Sequence, residues 1–381
     1  MTYPWWIYLL IIILLLTVLI VVIVLVYEIG RYRQQSSFPS PEPIPPTPTP
    51  IPPTPIPAKP YLKYKTWTGI EMIDSGDFRY FTGLDPTRGL VKYTNDQSLI
   101  KKYDDNSVDI NVGSVPIDVQ VDYGGGNIQT KKGRSAIRLE SKEQFSKGLF
   151  IINVSSVPIG PAVWPAWWLL GEGNWACKGE IDIIEYVNSD RRYNGMKGNI
   201  YNAVTRHTTT PPGLQPCRSA NGWDCTAGNP DFICKNCSGG KVTCPTYGCG
   251  TTMTYPSAGY AINEAGGAVF ACLLDSEGDT KVWSWLKNDP KLPSDFRNGI
   301  PNSLDPKEWD KQIKFFACPG QFRDMYLVLN TTLCGDWAGN TFNLNNPSPG
   351  LPQECERYVA NSDNKFTDAK WNVNWMGVYQ I

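Results

Sequence analysis

Three carboxylates lie close together in the segment G-E-I-D-I-I-E at residues 179–185. Glu180, Asp182 and Glu185 alternate with isoleucines, a pattern that is typical of a half-buried strand. Because side chains alternate between the two faces of a strand, Glu180 and Asp182 share one face and Glu185 has the opposite parity. A β-bulge at Ile183–Ile184 would return Glu185 to the face of the other two acids, and we predict a bulge there.

Like charges crowded on one face repel each other, so at least one carboxyl should keep its proton towards neutral pH while another ionises. An acid and a nucleophile of this kind hydrolyse glycosidic bonds with retention when the two carboxyls lie roughly 5 Å apart. Asp182, between the two glutamates, could orient the nucleophile. Spacing alone leaves two alternatives open, a solvated acidic strand face and a site for a hard cation.

Four tryptophans precede the acids, at Trp164, Trp167, Trp168 and Trp175. Flat aromatic faces stack on the apolar faces of sugar rings, so tryptophan beside carboxylates favours a pyranose-binding cleft. For Trp164 and Trp167 we favour a place in the hydrophobic core.

At these residues the sequence resembles glycoside hydrolase family 16, in particular the laminarinase-like, fungal-type endo-1,3(4)-β-glucanases. The resemblance covers residues 75–381. It rests on W-P-A-W-W-L-L-G at 164–171 and G-E-I-D-I-I-E-Y-V-N at 179–188, and on further segments in family order: D-P-T-R-G-L-V-K-Y at 85–93, G-R-S-A-I-R-L at 133–139, T-R-H-T at 205–208, K-V-W-S-W at 281–285 and L-C-G-D-W-A-G at 333–339.

The resemblance implies a curved β-jelly-roll sandwich of the concanavalin A-like type and a retaining mechanism without cofactor or metal. It implies Glu180 as nucleophile, Asp182 as its support and Glu185 as general acid and then base. The family's substrate-binding positions match Trp168, Trp175, His207, Arg138 and Trp337. The bulged form of the motif belongs with laminarinase-like hydrolases, although agar and carrageenan hydrolases share it.

Composition agrees with a neutral substrate. The chain has 381 residues and a formal net charge of −1, so it offers no electrostatic reason to expect nucleic acid as a partner. It has a single histidine, His207, and every histidine-dependent triad or His-rich metal site would have to be built around it. We expect a monomer that binds a β-glucan polysaccharide.

The N-terminal part of the chain predicts a membrane anchor in residues 1–35. Residues 5–27 contain no charged side chain. A helix of about 23 residues spans roughly 34 Å, enough for a bilayer core. The rival interpretation, a cleavable signal peptide, lacks a basic n-region and a small-residue cleavage pattern. Residues 36–60 are rich in proline and predict an extended polyproline stalk; a ligand for polyproline-reading domains is the alternative.

The orientation of the anchor follows from two opposing signals. Arg31 and Arg33 after the helix favour a cytoplasmic position for that side, whereas a disulfide framework needs an oxidising compartment. We choose a single-pass protein with its catalytic domain, residues 61–381, outside the cytoplasm. Three sequons, at Asn153, Asn236 and Asn330, permit N-glycosylation there.

Short alternating apolar runs separated by Gly, Pro, Asn and Asp predict an all-β sandwich. The runs lie at 108–112, 117–121, 135–139, 148–154 and 325–330, and no helix longer than a turn or two is indicated after residue 60. Arg134 and Arg138 share strand parity, so both are candidates to face the cleft; an exposed surface position is the alternative for Arg134.

Six of the eleven cysteines fall in an insert at about 211–250. We interpret them as disulfide staples of unknown pairing, with a zinc knuckle at Cys234, Cys237, Cys244 and Cys249 as the alternative. Because eleven is odd, at least one thiol is unpaired or intermolecular, and we expect Cys177 or Cys272. The insert lies beside the catalytic strand, where loops decide which linkages are admitted.

Retaining endo-hydrolysis of β-1,3- or β-1,3-1,4-glucan is therefore the leading hypothesis. A glucan transglycosylase that remodels wall polysaccharide is one rival, and a non-catalytic glycan-binding module is the other. The bulged motif argues against the first, and the presence of both glutamates argues against the second.

Overall fold

The computed structural model describes residues 60–173, 175, 178–190, 201–207, 233–235, 241–243, 249–276, 278–310, 313–315, 322–342 and 351–380. All of them belong to the unit Ala58–Ile381. The predicted anchor and almost all of the predicted stalk lie outside the described residues. Within the described part of the chain, no helix is both long enough and apolar enough to cross a bilayer.

Strands dominate this unit. They are β1 Tyr61–Thr68, β2 Phe78–Tyr80, β3 Val91–Tyr93, β4 Ile100–Lys102, β5 Val108–Asn111, β6 Ile117–Asp122, β7 Ile128–Ala136, β8 Arg138–Ser141, β9 Gly148–Ser156, β10 Val163–Gly171, β11 Glu180–Glu185, β12 Ala203–His207, β13 Ile233–Lys235, β14 Lys241–Thr243, β15 Cys249–Thr252, β16 Ala268–Leu274, β17 Thr280–Leu286, β18 Ser303–Leu304, β19 Ile313–Phe315, β20 Met325–Leu333 and β21 Lys370–Gln380.

Three short α-helices connect strands in the described residues: α1 Gly69–Asp74, α2 Tyr260–Glu264 and α3 Pro352–Ala360. The nine residues of α3 make about two and a half turns, slightly more than the sequence indicated. Its proline lies in the first turn, where the missing N–H would have no intrahelical partner in any case.

Two large sheets form the framework. The front sheet has the order β15-β12-β11-β10-β20-β8-β2, and the back sheet follows β18-β1-β21-β9-β16-β17-β19, with β5 also paired to β21 and β4 to β5. Neighbouring strands of both sheets run antiparallel, and the one parallel pair in the described residues is β3 with β7, in a separate small sheet. The predicted all-β sandwich is confirmed.

The main core lies between the two sheets. Trp167 and Leu169 on β10 and Ile181 on β11 meet Phe150 and Ile152 on β9, and all five side chains are fully buried. Burial of aliphatic and aromatic surface stabilises the fold by about 25 cal/mol per Å² removed from water. The face of the front sheet that points away from this core, called here the front face, is left for polar and aromatic side chains.

The predicted strands at 108–112, 117–121, 148–154 and 325–330 correspond to β5, β6, β9 and β20. The run at 135–139 is divided, because β7 ends at Ala136 and β8 begins at Arg138. Ile137 between them is buried in the main core. The parity argument therefore does not carry from Arg134 across to Arg138.

Cysteine chemistry is described for three side chains. Cys334 and Cys355 form a disulfide, and Cys272 on β16 is a buried free thiol, as expected for one of the two candidates. Cys177 and the disulfide or zinc interpretation of the insert lie outside the described side chains.

Two of the three sequon asparagines are described, and both are buried. Asn153 is 3% exposed, and its side-chain oxygen accepts hydrogen bonds from Lys287 and Asn374. Asn330 is 8% exposed and bonds to Trp168 and Tyr93. Neither amide is available for glycosylation in the folded protein.

Candidate active site

The predicted β-bulge is present in β11. Against β10, Asp182 pairs with Trp168 and Ile184 with Trp167, so Ile183 is the extra residue. Ile183 and Ile184 are both fully buried in the main core, which is the usual outcome when two bulge residues oppose one partner. Glu185 then pairs with Ala166 and returns to the face that carries Asp182.

Each glutamate receives an indole N–H. Trp175 Nε1 donates to Glu180 Oε2 at 2.9 Å, and Trp164 Nε1 donates to Glu185 Oε1 at 2.8 Å. His207, paired with Glu180 across the β11–β12 ladder, places Nε2 3.9 Å from Glu180 Oε1 and 3.5 Å from Asp182 Oδ2. The three acids and the histidine therefore form one cluster on the front face.

Burial and mutual repulsion shift the protonation of these acids. Burial, reinforced by the charge of Asp182, raises the pKa of Glu180 to about 8. Burial also raises the pKa of Asp182, and burial together with Asp182 raises the pKa of Glu185. The Trp175 and Trp164 hydrogen bonds act in the opposite direction on the pKa of Glu180 and of Glu185. At neutral pH the cluster cannot carry three full negative charges.

The same cluster offers one alternative chemistry. One ligand atom each from Glu180, Asp182 and His207 lie within 4.8 Å of one another, close enough to hold a cation. Three ligands fall short of the roughly six to eight oxygens that Ca²⁺ takes. The indole donors on Glu180 and Glu185 also favour carboxylates that are held for proton transfer and attack, since an N–H competes with a cation for the same oxygen.

Trp168 and Arg138 lie next to each other on the front face. The Arg138 guanidinium lies between two rings, 5.0 Å from the centroid of Trp168 and 4.4 Å from that of Phe81. Arg138 is 5% exposed and bonds to Glu140 Oε1 at 2.7 and 2.9 Å. Trp168 Nε1 donates to Asn330 Oδ1 at 2.8 Å, which fixes the ring.

A cavity of about 510 Å³ extends the site towards the β8–β2 edge of the front sheet. Its wall includes Arg79, Arg138, Glu140 and Tyr326. Glu140 binds Arg138 through one oxygen and Arg79 through the other, and Arg79 stacks 4.4 Å from the Tyr326 ring. A volume of this size is typical of a small-ligand cleft with a few fixed polar groups.

Trp337 lies on the short π-helical turn Gly335–Gly339, directly after the disulfide-bonded Cys334. Its ring meets Trp164 edge to face, with centroids 5.8 Å apart and planes at 85°. Trp337 is only partly buried. Three of the five predicted binding residues therefore contact a carboxylate of the cluster or Trp164: Trp175, His207 and Trp337. Trp168 is the strand partner of Asp182, and Arg138 packs against Trp168.

Two sequence expectations need correction. Trp164 is 8% exposed but does not belong to the main core; it packs with Trp337 and donates to Glu185. Arg134 does not face the cleft and is not exposed. It is fully buried and donates to the backbone carbonyls of Asn361 and Asn364 at 2.8 and 3.0 Å. The break between β7 and β8 separates it from Arg138.

Sequence reasoning missed several residues that shape the site. Asn330, which the sequence marks only as a sequon, holds the Trp168 ring, and Glu140 bridges Arg138 and Arg79. Asn202 hydrogen-bonds to the bulge itself, to Glu185 N and Ile183 O. Asn330 and Glu140 could have been suggested by polar residues at alternate positions of otherwise apolar strands, but nothing in the sequence around Asn202 signals its partner.

Comparison with known proteins gives the same picture over most of the chain. The family model described as the XgeA-like catalytic domain of glycoside hydrolase family 16 matches residues 78–379. A probable glycosidase of Schizosaccharomyces pombe is 31% identical over 85% of this chain and 70% of its own length. A probable endo-1,3(4)-beta-glucanase of Aspergillus fumigatus is 31% identical over 84% of this chain and 45% of its own length.

The chain spans less than half the length of several of these relatives, including the endo-1,3(4)-beta-glucanase xgeA of Emericella nidulans, which it matches at 28% identity over 48% of that protein. Among solved structures, an elongating family 16 beta-1,3-glucosyltransferase is similar with a TM-score of 0.61 and 25% identity, over 84% of this chain and 99% of that one. Laminarinase 16A of Phanerochaete chrysosporium shares the fold with a TM-score of 0.61 and 24% identity, over 84% and 100%.

The bulged acidic strand, the sandwich around it and the match over residues 78–379 agree. The chain belongs to glycoside hydrolase family 16, in its XgeA-like branch.

Proposed function

We propose that this protein hydrolyses internal linkages of β-1,3- or mixed β-1,3-1,4-glucan with net retention, by double displacement. The observation that carries the proposal is the bulge at Ile183, which returns Glu185 to the face of Glu180. A retaining mechanism needs both carboxyls on one side of the sugar. The relatives named as endo-1,3(4)-beta-glucanases support the substrate class.

In the first step Glu180 attacks the anomeric carbon and Glu185 protonates the glycosidic oxygen. Glu180 attacks in its ionised form, which the N–H of Trp175 and the neighbouring His207 stabilise. Because the pKa of Glu180 is raised to about 8, its ionised fraction, and with it the rate of attack, increases as the pH rises towards 8. Glu185 is only partly buried and has a raised pKa, so it keeps a proton and reaches the cleft. Asp182 lies between them and shares His207 with Glu180.

In the second step Glu185 removes a proton from water, which attacks the glycosyl ester on Glu180. Formation of the ester neutralises Glu180, and the loss of that nearby charge lowers the pKa of Glu185. The same residue thus changes from acid to base between the two steps. The mechanism needs no cofactor or metal, and we expect chelators to leave activity unchanged.

Sugar units are bound by the aromatic surface around the acids. Trp168, Trp175 and Trp337 keep part of their rings exposed, and exposed indole faces stack on pyranose rings. The His207 ring lies beside Trp175, with the two ring centroids 5.3 Å apart, and both side chains contact Glu180. Arg138 contributes by holding the Trp168 ring and lining the adjacent cavity.

Hydrolysis of laminarin and lichenan tests the proposal directly. Glu180→Gln should abolish turnover, and Glu185→Gln should reduce it by about 10²- to 10⁴-fold, the usual contribution of a general acid. The exposed Glu308→Gln is the matched control. NMR of the first products should show the β-anomer. Inert wild-type protein, or a Glu180→Gln variant as active as wild type, would contradict the proposal.

Glucosyl transfer is a second candidate, favoured by the similarity to the elongating β-1,3-glucosyltransferase. An acceptor sugar then replaces water in the second step, with the same carboxylates in the same roles. Incubation with laminarioligosaccharides distinguishes the two, because transfer gives products longer than the substrate. A non-catalytic binding module would release no reducing ends and would keep its glucan affinity after Glu180→Gln.

A further inference from the structure

We infer that Asn202 is a positioning residue that fixes the bulge in β11 and thereby aims Glu185 at the glycosidic oxygen. The inference rests on the proposed function, since it gives Glu185 the role of acid and base. It begins with the β11–β12 ladder, in which Glu180 pairs with His207 and Asp182 pairs with Thr205. The ladder stops there, just before the bulge.

The bulge leaves two main-chain groups of β11 on the side of β12. Asn202, which directly precedes β12, meets both with its side-chain amide. Its Nδ2 donates to the carbonyl of Ile183 at 2.6 Å, and its Oδ1 accepts the N–H of Glu185 at 2.8 Å. One side chain thus spans the bulge and replaces the strand partner that regular pairing would have supplied.

Asn202 is itself held firmly. The side chain is fully buried, its main-chain N–H donates to Ser257 Oγ at 3.1 Å, and its carbonyl accepts from Met253 N at 2.9 Å. Ser257 in turn donates to the carbonyl of Tyr255 at 3.0 Å. Both polar atoms of the amide and both main-chain groups of Asn202 therefore have partners, so the amide has little freedom to move.

The chemistry of the amide explains why asparagine suits this position. A side-chain amide offers a donor and an acceptor, as a peptide group does. Leucine of similar size would leave two buried main-chain groups unpaired. An ionised aspartate would direct a negative oxygen at the carbonyl of Ile183.

The position of Asn202 predicts a selective effect on the two glutamates. Glu180 and Asp182 precede the bulge and are held by the ladder to β12, whereas Glu185 follows it and its own N–H is bound by Asn202. Loss of the amide should therefore misplace the acid and base while the nucleophile stays in position.

The experiment compares two substrates in wild type and Asn202→Ala. Laminarin has a poor leaving group and needs the acid, whereas 2,4-dinitrophenyl β-laminaribioside releases dinitrophenolate without protonation. We expect Asn202→Ala to lower kcat on laminarin by about 100-fold with little change in KM, the scale of general-acid catalysis. The burst of dinitrophenolate, which reports attack by Glu180, should stay within about threefold of wild type.

Azide gives an independent readout. It attacks the glycosyl ester without needing a base, displaces Glu180 as the carboxylate and yields a β-glycosyl azide. Azide should therefore raise the steady-state turnover of the aryl glycoside by Asn202→Ala and leave wild type almost unaffected. Glu185→Ala is the reference and should show the same pattern more strongly.

Asn263→Ala is the matched control. The Asn263 amide also bonds to two main-chain groups, accepting from Val157 N at 2.8 Å and donating to Val157 O at 3.0 Å, and neither bond involves β11. This variant should lose stability without discriminating between the substrates. Should Asn202→Ala fail to fold, Ser257→Ala removes the hydroxyl that anchors Asn202 and should show a weaker form of the same selectivity.

Equal losses on laminarin and on the dinitrophenyl burst, without azide rescue, would overturn the role of Asn202. That result is distinct from failure of the proposed function, in which Glu185→Ala itself would show neither the substrate difference nor azide rescue.

Discussion

The indole N–H groups of Trp164 and Trp175 hold the two glutamates in different surroundings. Glu180 is 9% exposed and lies beside His207 and Asp182, whereas Glu185 is less buried and meets the partly exposed Trp337 through Trp164. The proposed division of roles, with Glu180 as nucleophile and Glu185 as acid and base, depends on these different neighbours and not on the indole donors, which the two carboxyls share.

Trp164→Phe tests the donor on Glu185. The Trp164 hydrogen bond lowers the pKa of Glu185, so its loss should move the alkaline limb of the kcat/KM profile to higher pH. Hydrogen bonds to charged groups contribute about 1.5–3 kcal/mol, so the step in which Glu185 acts as a carboxylate base should slow by about 10- to 150-fold. Trp283→Phe is the control, because Trp283 packs with Trp285 and Trp309 in a separate buried cluster. This variant should leave the pH dependence of kcat/KM unchanged. An unchanged profile in Trp164→Phe would contradict the argument.

Glu180→Gln should make the protein more stable at neutral pH. The folded-state pKa of Glu180 is raised from 4.5 to about 8, so the folded protein binds more protons than the unfolded chain in this window. Stability is then fully present below about pH 4.5 and is lost as the pH rises towards 8. Urea unfolding at pH 7.5 should show a gain of at least about 1 kcal/mol over wild type.

The gain should disappear near pH 4, where the wild-type carboxyl is protonated in both states. Glu308→Gln removes an exposed carboxylate and should show little change at either pH. A gain of equal size at both pH values would mean that packing, and not ionisation, is responsible.

At the scale of elements, β11 and the turn Gly335–Gly339 each place one residue against Trp164: Glu185 accepts its indole N–H, and Trp337 packs against its ring. The bulge sets Glu185, and the turn sets Trp337, which packs against Trp164. Asn188, just after β11, links the two: it accepts from Ala162 N and donates to the carbonyl of Ala338 at 2.9 Å. A disulfide from Cys334 to Cys355 closes the turn onto α3.

The double variant Cys334→Ala/Cys355→Ala tests the element scale. The bridge spans 21 residues, and closing a loop of that length stabilises the fold by roughly 3 kcal/mol. We expect the free energy of unfolding to fall by about this amount in oxidising buffer. Under strong reductant the two proteins should become similar, and a difference that persists would point to lost packing instead.

At the scale of the whole molecule, we propose that residues 1–35 anchor the catalytic unit to a membrane through the stalk at 36–60, with the domain outside the cytoplasm. The apolar run at 5–27 supports the proposal. The full chain should sediment with membranes and resist extraction by high salt, whereas residues 61–381 should remain in the supernatant and keep glucanase activity. Protease applied to intact cells should release the active domain.

Full release of the intact chain by salt, or its secretion without residues 1–35, would contradict the anchor.

The buried sequons carry a separate prediction about glycosylation. Mass spectrometry of the protein from a eukaryotic host should find Asn153 and Asn330 unmodified, since both amides bond inside the fold.

The sequence by itself determined the sandwich, the acidic strand and the bulge. Alternation of apolar and polar residues has a period of two in any strand, and the odd parity of Glu185 follows from counting along one segment. The strand pattern and the parity of Glu185 are local properties, because each depends only on the order of residues within one segment. The family resemblance added the candidate binding residues around the acids, among them Trp168, Trp175 and Trp337.

Only the tertiary structure decided which groups hold those acids in place. Trp164 and Glu185 are 21 residues apart in the chain, and Trp168 and Asn330 are 162 apart. Their meeting depends on the register between neighbouring strands. Asn202 reaches the bulge for the same reason, and Arg134 is buried against the Asn361–Asn364 backbone because β7 ends before Arg138. Contacts that depend on pairing between strands far apart in the chain produce no pattern in the sequence around either residue, so the sequence does not predict them.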